Sequence, residues 1–185
     1  MRLFVALSPP VEVVEDLDAF LDVRRDAGGG PRWSSPAQWH VTLAFMGSAP
    51  EHVVEPLVEG VGAAVARTAP VELALAGGGC FPDVARARVL FAGVRGGAEL
   101  EPLSRSVRAA CAVVGAAPEG GEFRAHVTLG RFGRPVEATR WVRVLGTYAG
   151  PAWTATEVAV VASHLPRERG HRPRHEVLAL LPLGG

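Results

Sequence analysis

The 185-residue sequence is 48% hydrophobic and 21% charged, ordinary values for a globular domain, which argues against a disordered or fibrous chain. Its 19 basic residues balance 19 acidic ones, so it is no coat for long nucleic acid, whose binding draws on neutralising many phosphates; a short anionic ligand stays open. All the basic residues are arginine, which removes a lysine nucleophile.

In chain order, residues 2–8 read as a buried strand. Residues 11–25, with Val11, Val14, Leu17, Phe20 and Leu21 at helical spacing, read as an amphipathic helix stopped by Gly28-Gly29-Gly30-Pro31. A strand over 38–46 and a helix over 50–67 follow. Two strands, 71–76 and 87–94, form an expected hairpin around a loop holding Gly77-Gly78-Gly79. A helix over 98–114, a strand over 123–129, a short helix over 136–145 and strands over 154–162 and 175–182 complete the chain. Residues 167–174 form an arginine-rich stretch of local charge +3, read as a solvated loop or else as a phosphate-facing flap. Strands adjacent in sequence outnumber strict strand–helix alternation, so the expected fold class is α+β with mainly antiparallel sheets and the helices outside. Cys80 and Cys111 are too few for a disulfide framework and read as buried thiols. The apolar opening is cut short by Pro9-Pro10, and no stretch reaches the roughly 20 apolar residues of a membrane span. One cytoplasmic domain over 1–185, with no membrane contact, is expected.

A tetrapeptide occurs twice: His40-Val41-Thr42-Leu43 and, near half the chain length later, His126-Val127-Thr128-Leu129. Glycines at 47 and 133 keep the same register. In a strand, positions i and i+2 share a face, so each histidine and its threonine point one way while Val41, Leu43, Val127 and Leu129 point to the core. The spacing predicts two pseudosymmetric lobes about a central cleft, one motif in each. Hydrolysis of a cyclic phosphodiester needs a base for the attacking water and an acid for the departing oxygen on the far side of phosphorus. Two opposed imidazoles supply both near neutral pH, and two hydroxyls supply hydrogen bonds to the charged oxygens. Neither a covalent nucleophile, a metal nor a cofactor is called for.

The doubled His-x-Thr motif resembles that of the two-histidine phosphoesterase superfamily. The opening Arg2-Leu3-Phe4-Val5-Ala6-Leu7, the stretch 32–47, Gly79-Cys80-Phe81-Pro82, Arg88-Val89-Leu90 and the segment 123–131 are similar to its RNA 2′,3′-cyclic phosphodiesterase (LigT-like) branch. The resemblance implies hydrolysis of RNA or nucleotide 2′,3′-cyclic phosphate ends to 2′-phosphates, with His40 as proton donor and His126 as proton acceptor; a monomer is expected. The residues themselves do not distinguish the two roles. It further implies phosphate contacts from Thr42, Thr128 and an arginine five positions after the second histidine, here Arg131. Relatives often carry proline before that histidine, where this chain has Ala125.

Strict alternation from His126 points Arg131 away from the cleft and nominates Arg124 instead. A bulge at Gly130 would reverse this, and Arg131 is the expected contact. Other readings stay open: a 2′-5′ RNA ligase, a related cyclic-nucleotide or ADP-ribose phosphodiesterase, a noncatalytic RNA-end binder, or a metallohydrolase, although no ligand spacing supports the last. His52 and His175 read as ordinary surface or strand residues, His164 and His171 as neighbours of the arginine-rich loop, and Trp33, Trp39 and Phe45 as packing residues.

Overall fold

A computed structural model describes residues 1–26, 28–166 and 173–184. The elements run β1 (Arg2–Leu7), α1 (Val11–Arg25), β2 (Arg32–Trp33), β3 (Val41–Met46), α2 (Val54–Val65), β4 (Val71–Phe81), β5 (Ala87–Arg95), α3 (Leu100–Val113), β6 (His126–Val136), α4 (Thr139–Gly146), β7 (Ala149–Ala155), β8 (Glu157–His164) and β9 (Arg174–Pro182). All strand pairs are antiparallel and form one nine-stranded sheet in the order β7-β4-β5-β6-β3-β1-β8-β9, with β2 added beside β6. The α+β class follows directly.

Period-two patterning decides which face each strand buries. In β1, Leu3, Val5 and Leu7 join the main core with Leu17 and Leu21 of α1, whereas Phe4 and Ala6 face the other way and cluster with Ala159, Val161 and Phe45. One face of the sheet is therefore roofed by helices, and the other is the floor of an open cleft. No helix among the described residues is long and apolar enough to cross a membrane.

The two central strands, β3 and β6, touch at one registered pair, Val41 with Val127, both fully buried. Outward from this seam the order is β6, β5, β4, β7 on one side and β3, β1, β8, β9 on the other. Strand–helix–strand units, β1-α1-β3 and β5-α3-β6, flank the seam in corresponding places.

Three local expectations need correction. The glycine run 77–79 is not a loop: it lies inside β4, where pairing with β5 slips between Leu75 and Gly78, and Gly77 takes a φ of +63° at that slip. A Cβ on Gly79 would sit 2.7 Å from the Phe91 ring, so the missing side chain is what lets that ring lie across the strand. The strand expected over 154–162 is two, β7 and β8, broken at Thr156. Pro151 is accommodated inside β7 because that strand is the edge of the sheet, where a proline costs no ladder bond. Finally, β6 runs on to Val136, past the expected end at 129, and the following helix starts at Thr139.

Candidate active site

Both copies of the tetrapeptide sit at the seam. With Val41 opposite Val127, the same register carried one residue either way sets His40 opposite Thr128 and Thr42 opposite His126. The valines turn to the core, and the two histidines and two threonines line one cleft of about 660 Å³ on the other face. No hydrogen bond engages either threonine side chain among the described residues, so both hydroxyls are available to a ligand.

Each central strand carries a bulge one residue beyond its threonine. Pairing of β1 with β3 passes from Val5–Ala44 to Ala6–Thr42, leaving Leu43 as the inserted residue. Pairing of β5 with β6 passes from Leu90–Gly130 to Phe91–Thr128, leaving Leu129. One inserted residue reverses the facing of everything after it, so Phe45 and Arg131, each five positions past its histidine, return to the cleft. The carbonyl of Leu43 accepts from Oγ of Ser104 on α3 at 2.7 Å, and that of Leu129 accepts from the Ser34 amide at 2.8 Å. Gly130 is required there: a Cβ would fall 2.7 Å from the Pro31 ring and 2.8 Å from the Arg32 carbonyl oxygen, displacing β2.

The histidines are held in the same way. Nδ1 of His40 donates to the carbonyl of Gln38 and Nδ1 of His126 to that of Arg124, both at 2.7 Å. A carbonyl only accepts, so Nδ1 carries the proton and the neutral ring leaves the Nε2 lone pair for the cleft. Burial lowers the pKa of His40 from its ordinary 6.5 to about 4, against the pull of the Gln38 carbonyl, with His175 and His126 adding repulsion. His126 is lowered too, first by burial and then by the Arg124 and Arg131 guanidiniums, the Arg124 carbonyl opposing.

Beyond the motifs the surroundings diverge. Phe4 stacks on His40 at 4.5 Å between ring centroids, and His175 meets both rings edge-on, 5.0 Å from Phe4 and 5.7 Å from His40. His126 instead meets the edges of Phe81 and Phe91. His175, expected to be an ordinary surface or strand residue, thus lines the cleft, and so does Arg2, which shares a face of β1 with Phe4. Arg124 stands over Phe81 and Phe91, at 5.6 and 5.2 Å from their ring centroids, and is not among the residues lining the cleft. His52 is exposed in a short turn, and Nε2 of His164 meets Glu176 at 2.9 Å. Trp39 is buried and Trp33 packs against Trp141, whereas Phe45 faces the cleft. His171 and residues 167–172 of the arginine-rich stretch lie outside the described residues. No three His, Cys, Asp or Glu residues gather as metal ligands among the described residues.

The profile of the 2′-5′ RNA ligase superfamily matches residues 9–167. An RNA 2′,3′-cyclic phosphodiesterase of Geobacillus stearothermophilus is 31% identical over 155 residues, 83% of this chain and 48% of that protein. One from Archaeoglobus fulgidus is 29% identical over 136 residues, 72% of this chain and 74% of its own. The chain spans about half the length of the Geobacillus relative and of a further one from Aeropyrum pernix, 48% and 52%. Among solved structures, a Thermus thermophilus protein superposes with a TM-score of 0.79 at 28% identity, covering 100% of this chain and 99% of its own. Escherichia coli LigT complexed with 3′-AMP does so with a TM-score of 0.76 at 25% identity, covering 98% and 97%.

Proposed function

The chain belongs to the 2′-5′ RNA ligase superfamily, and from that premise we propose that it hydrolyses RNA 2′,3′-cyclic phosphate ends to 2′-phosphates without a metal. The observation that carries this reading is the crossed quartet, His40 beside Thr128 and Thr42 beside His126 on one face of one cleft. In such a register diagonal neighbours lie about 7–8 Å apart, room for one phosphorus with an imidazole on either side. His126 takes a proton from water as its oxygen attacks phosphorus. The bond to the 3′ oxygen breaks, and His40 delivers a proton to that oxygen, leaving the phosphate on the 2′ oxygen. Thr42 and Thr128 donate to the non-bridging oxygens, and Arg131 offsets their growing charge. The assignment of donor and acceptor rests on the family resemblance, since both rings are anchored alike.

With its pKa lowered to about 4, His40 is neutral near pH 7, so a donor role requires that the entering phosphate draw a proton onto it. An anion beside a buried imidazole does this by favouring the charged form. The names of the Geobacillus and Archaeoglobus relatives support the substrate class.

The test is incubation with nucleoside 2′,3′-cyclic monophosphates, with the product read by phosphorus NMR in the presence and absence of EDTA. A 2′-phosphate formed equally in both is expected, and His40→Ala and His126→Ala should each lose at least ~10²-fold in kcat. Binding without turnover would favour a noncatalytic RNA-end binder. Activity abolished by EDTA would overturn the metal-independent mechanism.

A further inference from the structure

Three strand spacings separate His175 from His40, because this half of the sheet runs β3-β1-β8-β9. In a flat sheet that would be about 14 Å, yet the two ring centroids stand 5.7 Å apart. The half-sheet therefore curls over the cleft, and the Phe4 ring of β1 touches both imidazoles inside the curl. Pairing with β8 does not by itself impose this. β9 is an edge strand whose ladder with β8 ends at His164–Arg174, and a ladder fixes its distance from β8 but not its lean toward β3.

One side chain spans the gap. Nε2 of Gln38, just ahead of β3, donates at 2.7 Å to the carbonyl of Pro173, just ahead of β9 and 135 positions away in sequence. Both residues line the cleft with His40 and His175. The same glutamine offers its backbone carbonyl to Nδ1 of His40, also at 2.7 Å. Gln38 thus holds the ring directly and, through Pro173, holds the start of the strand that brings His175 to it. The second motif has only half of this device: the Arg124 carbonyl anchors Nδ1 of His126, but the Arg124 side chain lies over Phe81 and Phe91.

We propose that Gln38 is a positioning residue for His40, a brace that closes the curled half of the sheet and keeps His175 against the ring. Its kinetic consequence alone rests on the cyclic phosphodiesterase reading above.

The groups facing His40 give the consequence its sign. They are His175 from β9, His126 and Arg131 from β6 and Arg2 from β1, and no carboxylate lines the cleft among the described residues. Glu176, bonded to His164 and Arg174, follows His175 in the strand and so takes the outer face of β9. The His175 ring therefore keeps His40 neutral in two ways, by excluding water and by repulsion when charged. Releasing the brace withdraws both effects, so His40 should take up its proton at higher pH.

The experiment is an NMR pH titration of the His40 and His126 rings in the unaltered protein, Gln38→Ala, His175→Ala and the double variant. In the unaltered protein His40 should titrate near 4. Gln38→Ala should move that midpoint upward, toward the ordinary 6.5, and move His126 less; His175→Ala should move His40 in the same direction. Because the brace acts through His175, adding Gln38→Ala to His175→Ala should shift His40 by less than half of what it does alone. Gln38→Met keeps the length of the side chain without its donor. It should reproduce Gln38→Ala, and it carries the test should the alanine variant not fold. In a pH–rate profile the limb governed by His40 should move the same way. A His40 midpoint unmoved by loss of the Gln38 amide, or moved equally with and without His175, would overturn the brace. The titration needs no substrate, so it decides the brace even where no cyclic phosphate is turned over, an outcome that defeats the hydrolytic reading alone.

Discussion

At the scale of the residue, the two imidazoles are set by one device, a ring nitrogen donating to the carbonyl two positions back, which fixes the tautomer and turns Nε2 to the cleft. Burial then holds both pKa values down, and this has consequences of definite sign. A base must be neutral and an acid protonated, so kcat/KM is greatest between the two depressed values. Its maximum should fall below pH 6.5, and a pH–rate profile peaking at 7.5 or above would contradict the arrangement. Replacing His175, whose charge opposes protonation of His40, should move the limb governed by His40 to higher pH. The same shift affects folding. The unfolded chain takes up the His40 proton near 6.5 and the folded one near 4, so stability is full above 6.5 and drains as pH falls toward 4, by on the order of 3 kcal/mol. Thermal melts from pH 7 to 4 should show this loss, reduced in His40→Gln. Arg131→Ala should cost about 2–3 kcal/mol of transition-state stabilisation, roughly 30- to 150-fold in turnover, and Arg124→Ala much less, because Arg124 rests on Phe81 and Phe91. The reverse ranking would show that the bulge does not deliver Arg131 to the phosphate. The repeated motif made four of these side chains legible in the sequence. Arg2 and His175 were not, since nothing local marks a strand residue as facing a cleft that another strand helps to form.

At the scale of the element, each bulge places a side chain five residues past its histidine and leaves a leucine carbonyl to be satisfied from outside the strand pair. In β3 that donor is Ser104, the fully buried polar residue among those described, and it ties α3 to the strand that carries Thr42 and Phe45. Ser104→Ala strands a buried carbonyl, at a cost of about 1–3 kcal/mol. A fall in Tm of roughly 2–10 °C is expected for a chain of this length, and an unchanged melting temperature would show that the carbonyl finds another donor. Periodicity located most elements, because the helices have apolar stripes and β1, β3 and β5 alternate or run apolar. It failed where tertiary contact overrides local preference. The glycines of β4 look like a loop until Phe91 lies across them. A two-residue strand such as β2 leaves no periodic trace, yet it is what fills the space beside Gly130.

At the scale of the whole molecule, the sheet alone would join its halves weakly, through one registered pair at the seam. Helices supply the remaining union by packing across it. The α3 helix, which connects β5 to β6, packs on β3 and α2; α1, which connects β1 to β3, packs on β7 at the far edge of the other half. Each crossing includes a hydrogen bond, Ser104 to the Leu43 carbonyl and the Tyr148 hydroxyl to Asp16 at 2.7 Å. The main core is likewise one cluster, with Leu3, Leu57, Leu103, Trp141 and Trp153 drawn from both halves. Since the catalytic quartet straddles the seam, a relative movement of the halves would separate acid from base, and a rigid union is what the chemistry requires. We therefore expect the chain to behave as one cooperative domain. Urea unfolding should give a single transition, superimposable by far-ultraviolet circular dichroism and by tryptophan fluorescence, with Trp39 reporting on one half and Trp33, Trp141 and Trp153 on the other. Val127→Ala, which hollows the seam, should lower the midpoint by about 2 kcal/mol of stability without splitting the transition. Two resolved transitions, or a fluorescence change that precedes the loss of secondary structure, would mean that the halves fold separately and that the cross-packed helices do not bind them into one unit.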